Sequence, residues 1–134
     1  MRQPANNIPI SPSGLVLIAL ILVLLSFIPA YGGKADVISV NVTETGPDTY
    51  RFDVTVRHGD TGWDHYADRW EILGPDGTIL STRTLLHPHL SEQPFTRSLT
   101  GVKIPPAISQ VTIRAHDKVH GYGGAEVKVK LHRE

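Results

Sequence analysis

The stretch Val111-Thr-Ile-Arg-Ala-His-Asp-Lys-Val-His-Gly-Tyr-Gly-Gly124 decides how this chain is read. Val111, Ile113 and Ala115 alternate with Thr112, Arg114 and His116, the period-two pattern of a strand with one buried face. The segment that follows carries Asp117 and His120 among turn-forming glycines, so a strand runs straight into a loop holding His116, Asp117 and His120. Six of the seven histidines lie between His58 and His120, which raises the question of whether one fold gathers them.

Working outward, the same period recurs on both sides. Ile38, Val40 and Val42 alternate with Ser39 and Asn41, Gly46-Pro47-Asp48 turns the chain, and Tyr50, Phe52, Val54 and Val56 alternate with Arg51, Asp53, Thr55 and Arg57. A third strand is expected over Asp68–Leu73 with Trp70 and Ile72 inward. The turn Gly74-Pro75-Asp76-Gly77 leads to a return strand over Thr78–Leu86, because proline presets φ and the last glycine accepts a positive one. That strand stops at His87-Pro88-His89, where Pro88 has no amide hydrogen to offer a ladder. Phe95–Thr100 is the fifth strand, Val111–His116 the sixth and Ala125–Leu131 the seventh, with Val127, Val129 and Leu131 inward. Seven short strands, no helical periodicity and no internal repeat predict an all-β antiparallel sandwich over residues 36–134.

The first 35 residues follow a different pattern. Leu15–Ile28 is apolar except for Ser26 and follows a polar, proline-containing start with one basic residue, Arg2. Its 14 residues match the apolar core of a signal peptide, while the extended run from Gly14 to Tyr31 is long enough for an N-terminal hydrophobic helix that stays as a membrane anchor. Ala30-Tyr31-Gly32 and Gly33-Lys34-Ala35 offer cleavage sites. Both readings export the domain, to the periplasm or the outside of the cell, and the second leaves it anchored in the inner membrane by residues 14–31.

Composition removes several functions. With 13 basic and 13 acidic residues there is no net charge to draw the chain to nucleic acid, and without cysteine there is no disulfide, thiolate ligand, thiol nucleophile or lipidated cysteine. The strand pattern resembles an immunoglobulin or fibronectin type III domain, carried by Trp70 on the third strand, the Ile104-Pro105 connection and Val111–Ala115 on the sixth. That resemblance implies loops 2–3, 4–5 and 6–7 at one pole. His58 and His65 bound the first, His87 and His89 open the second, and His116 and His120 belong to the third. The opposite pole receives the Pro- and Gly-rich turns and no histidine.

Neutral imidazole is a common ligand for zinc, copper and iron, and several imidazoles from different loops are what a mononuclear site requires. The candidate metal ligands are therefore His58, His65, His87, His89, His116 and His120, with His87 and His89 placed on one side of an extended segment. Asp60, Asp64 and Asp117 stand close enough in sequence to ligate or to orient an imidazole. The absence of cysteine excludes a blue-copper centre, and a lone methionine excludes a methionine-rich copper site. Two segments also resemble superoxide reductase: Asp64-His65-Tyr66 with Trp70, and Asp117-Lys118-Val119-His120-Gly121. That resemblance implies His65 and His120 as ligands. It places Asp117 where that family has its cysteine, so the family's redox chemistry is not implied.

The alternative is an interaction module. Trp63, Tyr66 and Tyr122 beside Arg69 and Arg97 have the composition of a surface that docks another envelope protein or a glycan without metal. Catalysis has less in its favour, since Asp64-His65 and His116-Asp117 are adjacent residues and no nucleophile motif is present.

Overall fold

The computed structural model describes residues 33–133. The N-terminal segment read from sequence as a signal peptide or hydrophobic helix lies outside the described residues, apart from Gly33 to Ala35. Seven strands follow in chain order: β1 (Asp36–Gly46), β2 (Thr49–Arg57), β3 (Ala67–Leu73), β4 (Ile79–Thr84), β5 (Phe95–Lys103), β6 (Gln110–Asp117) and β7 (Val127–Lys130). They form two antiparallel sheets, one ordered β1-β2-β5 and the other β4-β3-β6-β7. Among the described residues there is no helix.

Strand alternation explains what the two sheets share. Tyr50, Phe52, Val54 and Val56 of β2 and Phe95 and Val102 of β5 meet Trp70 and Ile72 of β3 and Val111, Ile113 and Ala115 of β6 in one buried cluster. Each such side chain contributes about 1.5–3 kcal/mol when fully removed from water. Val40, Val42, Val127, Val129 and Leu131 close the core from the edges. In β1 the sequence pattern places Ile38 inward, but Val37 is the buried residue and Ile38 is exposed. A bulge between Val37 and Ser39 shifts the register by one, which restores Val40 and Val42 to the inner phase. β4 is shorter than the expected Thr78–Leu86 and ends at Thr84, before Pro88 is reached.

The strand directions put the loops into two groups. Ile104 N–H donates to the Asp48 carbonyl at 2.9 Å and Leu131 N–H to the Ser109 carbonyl at 2.8 Å, tying together the end with the proline-rich turns. At the other end Lys118 N–H donates to the Tyr66 carbonyl at 3.2 Å, and His89 N–H to Asp60 Oδ2 at 2.7 Å, joining loops 58–66, 85–94 and 118–126. β1 also starts at this end, since Asp36 pairs with Arg57. Gly124 lies against that start: a Cβ there would stand 1.9 Å from the Ala35 carbonyl oxygen, so only glycine permits the approach.

Candidate metal centre

Asp117 is the last residue of β6 and has no solvent exposure. Its position is fixed by reciprocal backbone hydrogen bonds with Gly121, Asp117 N–H to Gly121 O at 3.1 Å and Gly121 N–H to Asp117 O at 3.0 Å. Gly121 takes φ 72°, which closes this turn without the strain a side chain would bring. The turn brings His120 back over the carboxylate, where its N–H donates to Asp117 Oδ1 at 2.8 Å.

Three imidazole nitrogens converge on the other oxygen. Asp117 Oδ2 lies 2.7 Å from His65 Nε2, 2.9 Å from His120 Nδ1 and 3.1 Å from His58 Nε2. The rings pack against each other, with centroids 4.8 Å apart for His58 and His65 and 5.0 Å for His65 and His120. The side chain of His58 is fully enclosed, that of His65 is 15% exposed and that of His120 is 36% exposed, so the cluster grades from core to solvent across the two loops that carry it.

Asp60 supplies the second carboxylate. It accepts from Ala67 N–H at 3.0 Å and His89 N–H at 2.7 Å, and its Oδ1 makes a very short contact with His58 Nδ1. His58 thus has Asp60 at one ring nitrogen, and Asp117 and the Gly33 carbonyl, at 3.1 Å, at the other. Only a ring with hydrogens on both nitrogens satisfies all three acceptors. Burial by itself lowers the pKa of His58, but the hydrogen bond and charge of Asp60, reinforced by Asp117, hold it above its ordinary value. Burial likewise pushes both carboxyls up. The net direction is down for each: His58 and two backbone amides act on Asp60, and His120, His65 and the His58 charge act on Asp117. His58 is thus held between two buried carboxylates that favour its protonated form.

Ligand atoms of His58, His65 and Asp117 lie within 4.8 Å of one another. Ligands about 2.0–2.1 Å from a tetrahedral ion stand roughly 3.3 Å apart, so around one the widest separation would close by up to about 1.5 Å while the Asp117–imidazole separations would open by up to about 0.6 Å. His120 Nδ1, on the more exposed side, is a fourth donor within reach of the same oxygen.

The six histidines read from sequence separate into three groups. His58, His65 and His120 meet at Asp117. His89 is buried and stacks on Phe95 at 3.8 Å between centroids and 6° between planes, while its Nε2 accepts from Arg97 at 3.0 Å. Burial, then the charges of Arg97 and His87, push its pKa down, so it packs as a neutral ring. His87 lies beside it at 4.6 Å with Nδ1 near the Pro88 carbonyl. His116 points to the outer face of the four-stranded sheet, 2.6 Å from Asp68 Oδ1 and edge-on to Tyr122.

The remaining candidates are also placed. Tyr122 donates to Glu71 Oε1 at 2.6 Å and lies under Arg114, whose guanidinium carbon is 3.8 Å from the ring centroid. Glu71 is buried between Arg69, 3.0 Å away, and Arg114, 2.9 Å away, a network that alternation on β3 and β6 did not by itself announce. Tyr66 is buried, Trp63 packs edge-on against it at 5.7 Å, and Asp64 faces solvent. Sequence reasoning also missed Gln93. It accepts from His58 N–H at 3.0 Å and donates to the His89 carbonyl at 3.0 Å, and nothing in the local pattern marks it.

No family model matches this chain, and no solved structure matches it. A protein of Halomicrobium mukohataei described as "Putative lipoprotein" is 42% identical over 96 residues, which cover 72% of this chain and 47% of that protein. The chain therefore spans about half the length of the curated relative it matches.

Proposed function

We propose that this chain is an exported, fibronectin type III-like β-sandwich that binds one transition-metal ion at the pole formed by loops 58–66, 85–94 and 118–126. The observation that carries the metal reading is the convergence of His58 Nε2, His65 Nε2 and His120 Nδ1, all within 3.1 Å, on one buried oxygen of Asp117. A second feature supports it: Asp60 holds the Nδ1–H of His58, the carboxylate–histidine arrangement that orients metal-ligating imidazoles. To hold an ion, His58 would release its Nε2 proton to solvent while its Nδ1–H stayed hydrogen-bonded to Asp60, His65 would take the tautomer that leaves Nε2 free, and Asp117 would serve as a ligand in place of a hydrogen-bond acceptor. Two or three imidazoles and a carboxylate suit zinc, copper(II) or iron(II), and the chain has no soft ligand to favour copper(I).

The sandwich reading rests on the sheet orders β1-β2-β5 and β4-β3-β6-β7, which match the fibronectin type III arrangement of three strands against four. Export rests on residues 1–35 and on the lipoprotein description carried by the relative. This sequence has no cysteine to acylate, and residues 1–35 serve either as a cleaved signal peptide or, through the apolar run 14–31, as a retained anchor.

Metal analysis of protein purified without a histidine tag, followed by calorimetric titration with Zn²⁺ and Cu²⁺, tests the reading. One equivalent should bind, and His65→Ala and Asp117→Asn should each weaken binding at least tenfold. Equal affinity in wild type and both variants overturns it.

A further inference from the structure

Among the described residues six large hydrophobic side chains are exposed, and four of them sit on the three loops of the histidine pole: Trp63, Leu86, Leu90 and Val119, exposed by 62, 74, 64 and 59%. They belong to a single end of the molecule. Trp63 rests on Tyr66, the Tyr66 carbonyl accepts from Lys118 N–H, and Val119 follows at once. Leu86 and Leu90 flank His89, whose N–H is held by Asp60 of the Trp63 loop. The opposite pole exposes only Ile79 of this set, and Ile38 lies on β1.

The chain also enters the domain at this pole. The Gly33 carbonyl lies 3.1 Å from His58 Nε2, and β1 begins opposite the end of β2. In sequence the apolar run ends at Ile28, so five residue steps, at most about 18 Å of chain, separate it from Gly33. A membrane that holds this run must lie within that reach of the pole bearing the exposed hydrophobics.

From this we infer that Trp63, Leu86, Leu90 and Val119 form a rim that rests in the surface of the lipid bilayer, so that the candidate metal centre opens toward the membrane. The inference rests on the retained-anchor form of the export reading and is independent of whether a metal binds. Trp63, edge-on to Tyr66, has the amphipathic aromatic character that favours the bilayer interface. The exposed Lys34, Arg57 and Lys118 at this end are offset by exposed Asp64, Glu92 and Glu126, so contact is apolar and does not need anionic lipid.

The full chain reconstituted in phosphatidylcholine vesicles, with chelator present, provides the test. Trp70 is enclosed in the core, so the difference between wild type and Trp63→Phe isolates the emission of Trp63. Phosphatidylcholine brominated on its acyl chains should quench that emission at least twofold. The double variant Leu86→Asp, Leu90→Asp alters two exposed positions and should abolish most of the quenching while leaving Trp70 emission unchanged. A chain that floats with the vesicles yet keeps Trp63 unquenched and open to aqueous acrylamide overturns the rim and spares the anchor. Shielding of Trp63 only on addition of a protein or glycan also overturns it. A chain that fails to float removes the anchor and the rim together. Metal titration of the same vesicles reports on the metal centre separately.

Discussion

Asp117→Asn is the perturbation that most directly tests how the pole is held together. The carboxylate has no exposure and accepts four hydrogen bonds, three from imidazoles and one from the His120 amide. An asparagine oxygen can keep the amide bond to His120, but its NH₂ group then faces the converging ring nitrogens. His65 and His120 can present their acceptor tautomers to it. The His58 imidazolium cannot, and it retains only Asp60 and the Gly33 carbonyl. Hydrogen bonds to charged groups are worth about 1.5–3 kcal/mol each, and removing one partner of a buried ion pair costs about 3–5 kcal/mol. With partial compensation at two of the three rings, the expected loss is about 3 kcal/mol, or roughly 12–24 °C in Tm for a domain of about 100 residues. Urea unfolding followed by Trp70 emission, in chelator, measures it. Coupling with His65→Ala in a double-mutant cycle should exceed about 1 kcal/mol. A loss below about 1 kcal/mol with no coupling would refute the view of Asp117 as the hub.

Three further outcomes follow from the same arrangement of side chains. The folded His58 pKa is raised above its ordinary 6.5, so its contribution is fully present below pH 6.5 and is lost as pH rises through the folded value. Asp60 and Asp117 are held below 3.8, so theirs is present above that pH and lost as pH falls through their folded values. Metal-free unfolding free energy should therefore peak between these limits, and His58→Gln should flatten the alkaline fall in a pH series of urea titrations. If a metal binds the folded state alone, free ion at about one hundred times Kd should add about 2.7 kcal/mol of stability, read as a Tm shift that chelator reverses and Asp117→Asn abolishes. Gly124→Ala drives a methyl into the Ala35 carbonyl, and refolding equilibria should fall by about 1–3 kcal/mol, whereas alanine at half-buried Gly46, where a Cβ meets only Thr49 at 3.9 Å, should cost much less.

Much of the fold was legible in the residues because a half-buried strand has a strict period of two. Trp70 and Ile72 on β3, Val111, Ile113 and Ala115 on β6, and the inward set of β2 all occupy the faces that alternation assigns. Ile38 did not, because a bulge changes phase without leaving a mark in composition, and only the pairing partner reveals it. Glu71 lies on the outward phase of β3 as expected, yet it is buried, since Arg69, Arg114 and Tyr122 arrive from three different segments to cover it.

The candidate site divides along the same line. By itself the sequence determined a seven-stranded all-β domain after the hydrophobic leader, a run of histidines placed on alternate loops and the absence of thiol chemistry, all of which follow from local periodicity, turn residues and counting. Tertiary structure alone decided that His58, His65 and His120 share one carboxylate while His87, His89 and His116 turn to other partners. The reason is geometric: loop residues have no fixed period, so the direction of each imidazole is set by contacts between loops distant in sequence. Asp117 illustrates the division, for the sequence marked it as one of three aspartates able to ligate or orient an imidazole and as the residue standing in a cysteine's place, and the packing of loops 58–66 and 118–126 made its Oδ2 the point on which three imidazoles converge.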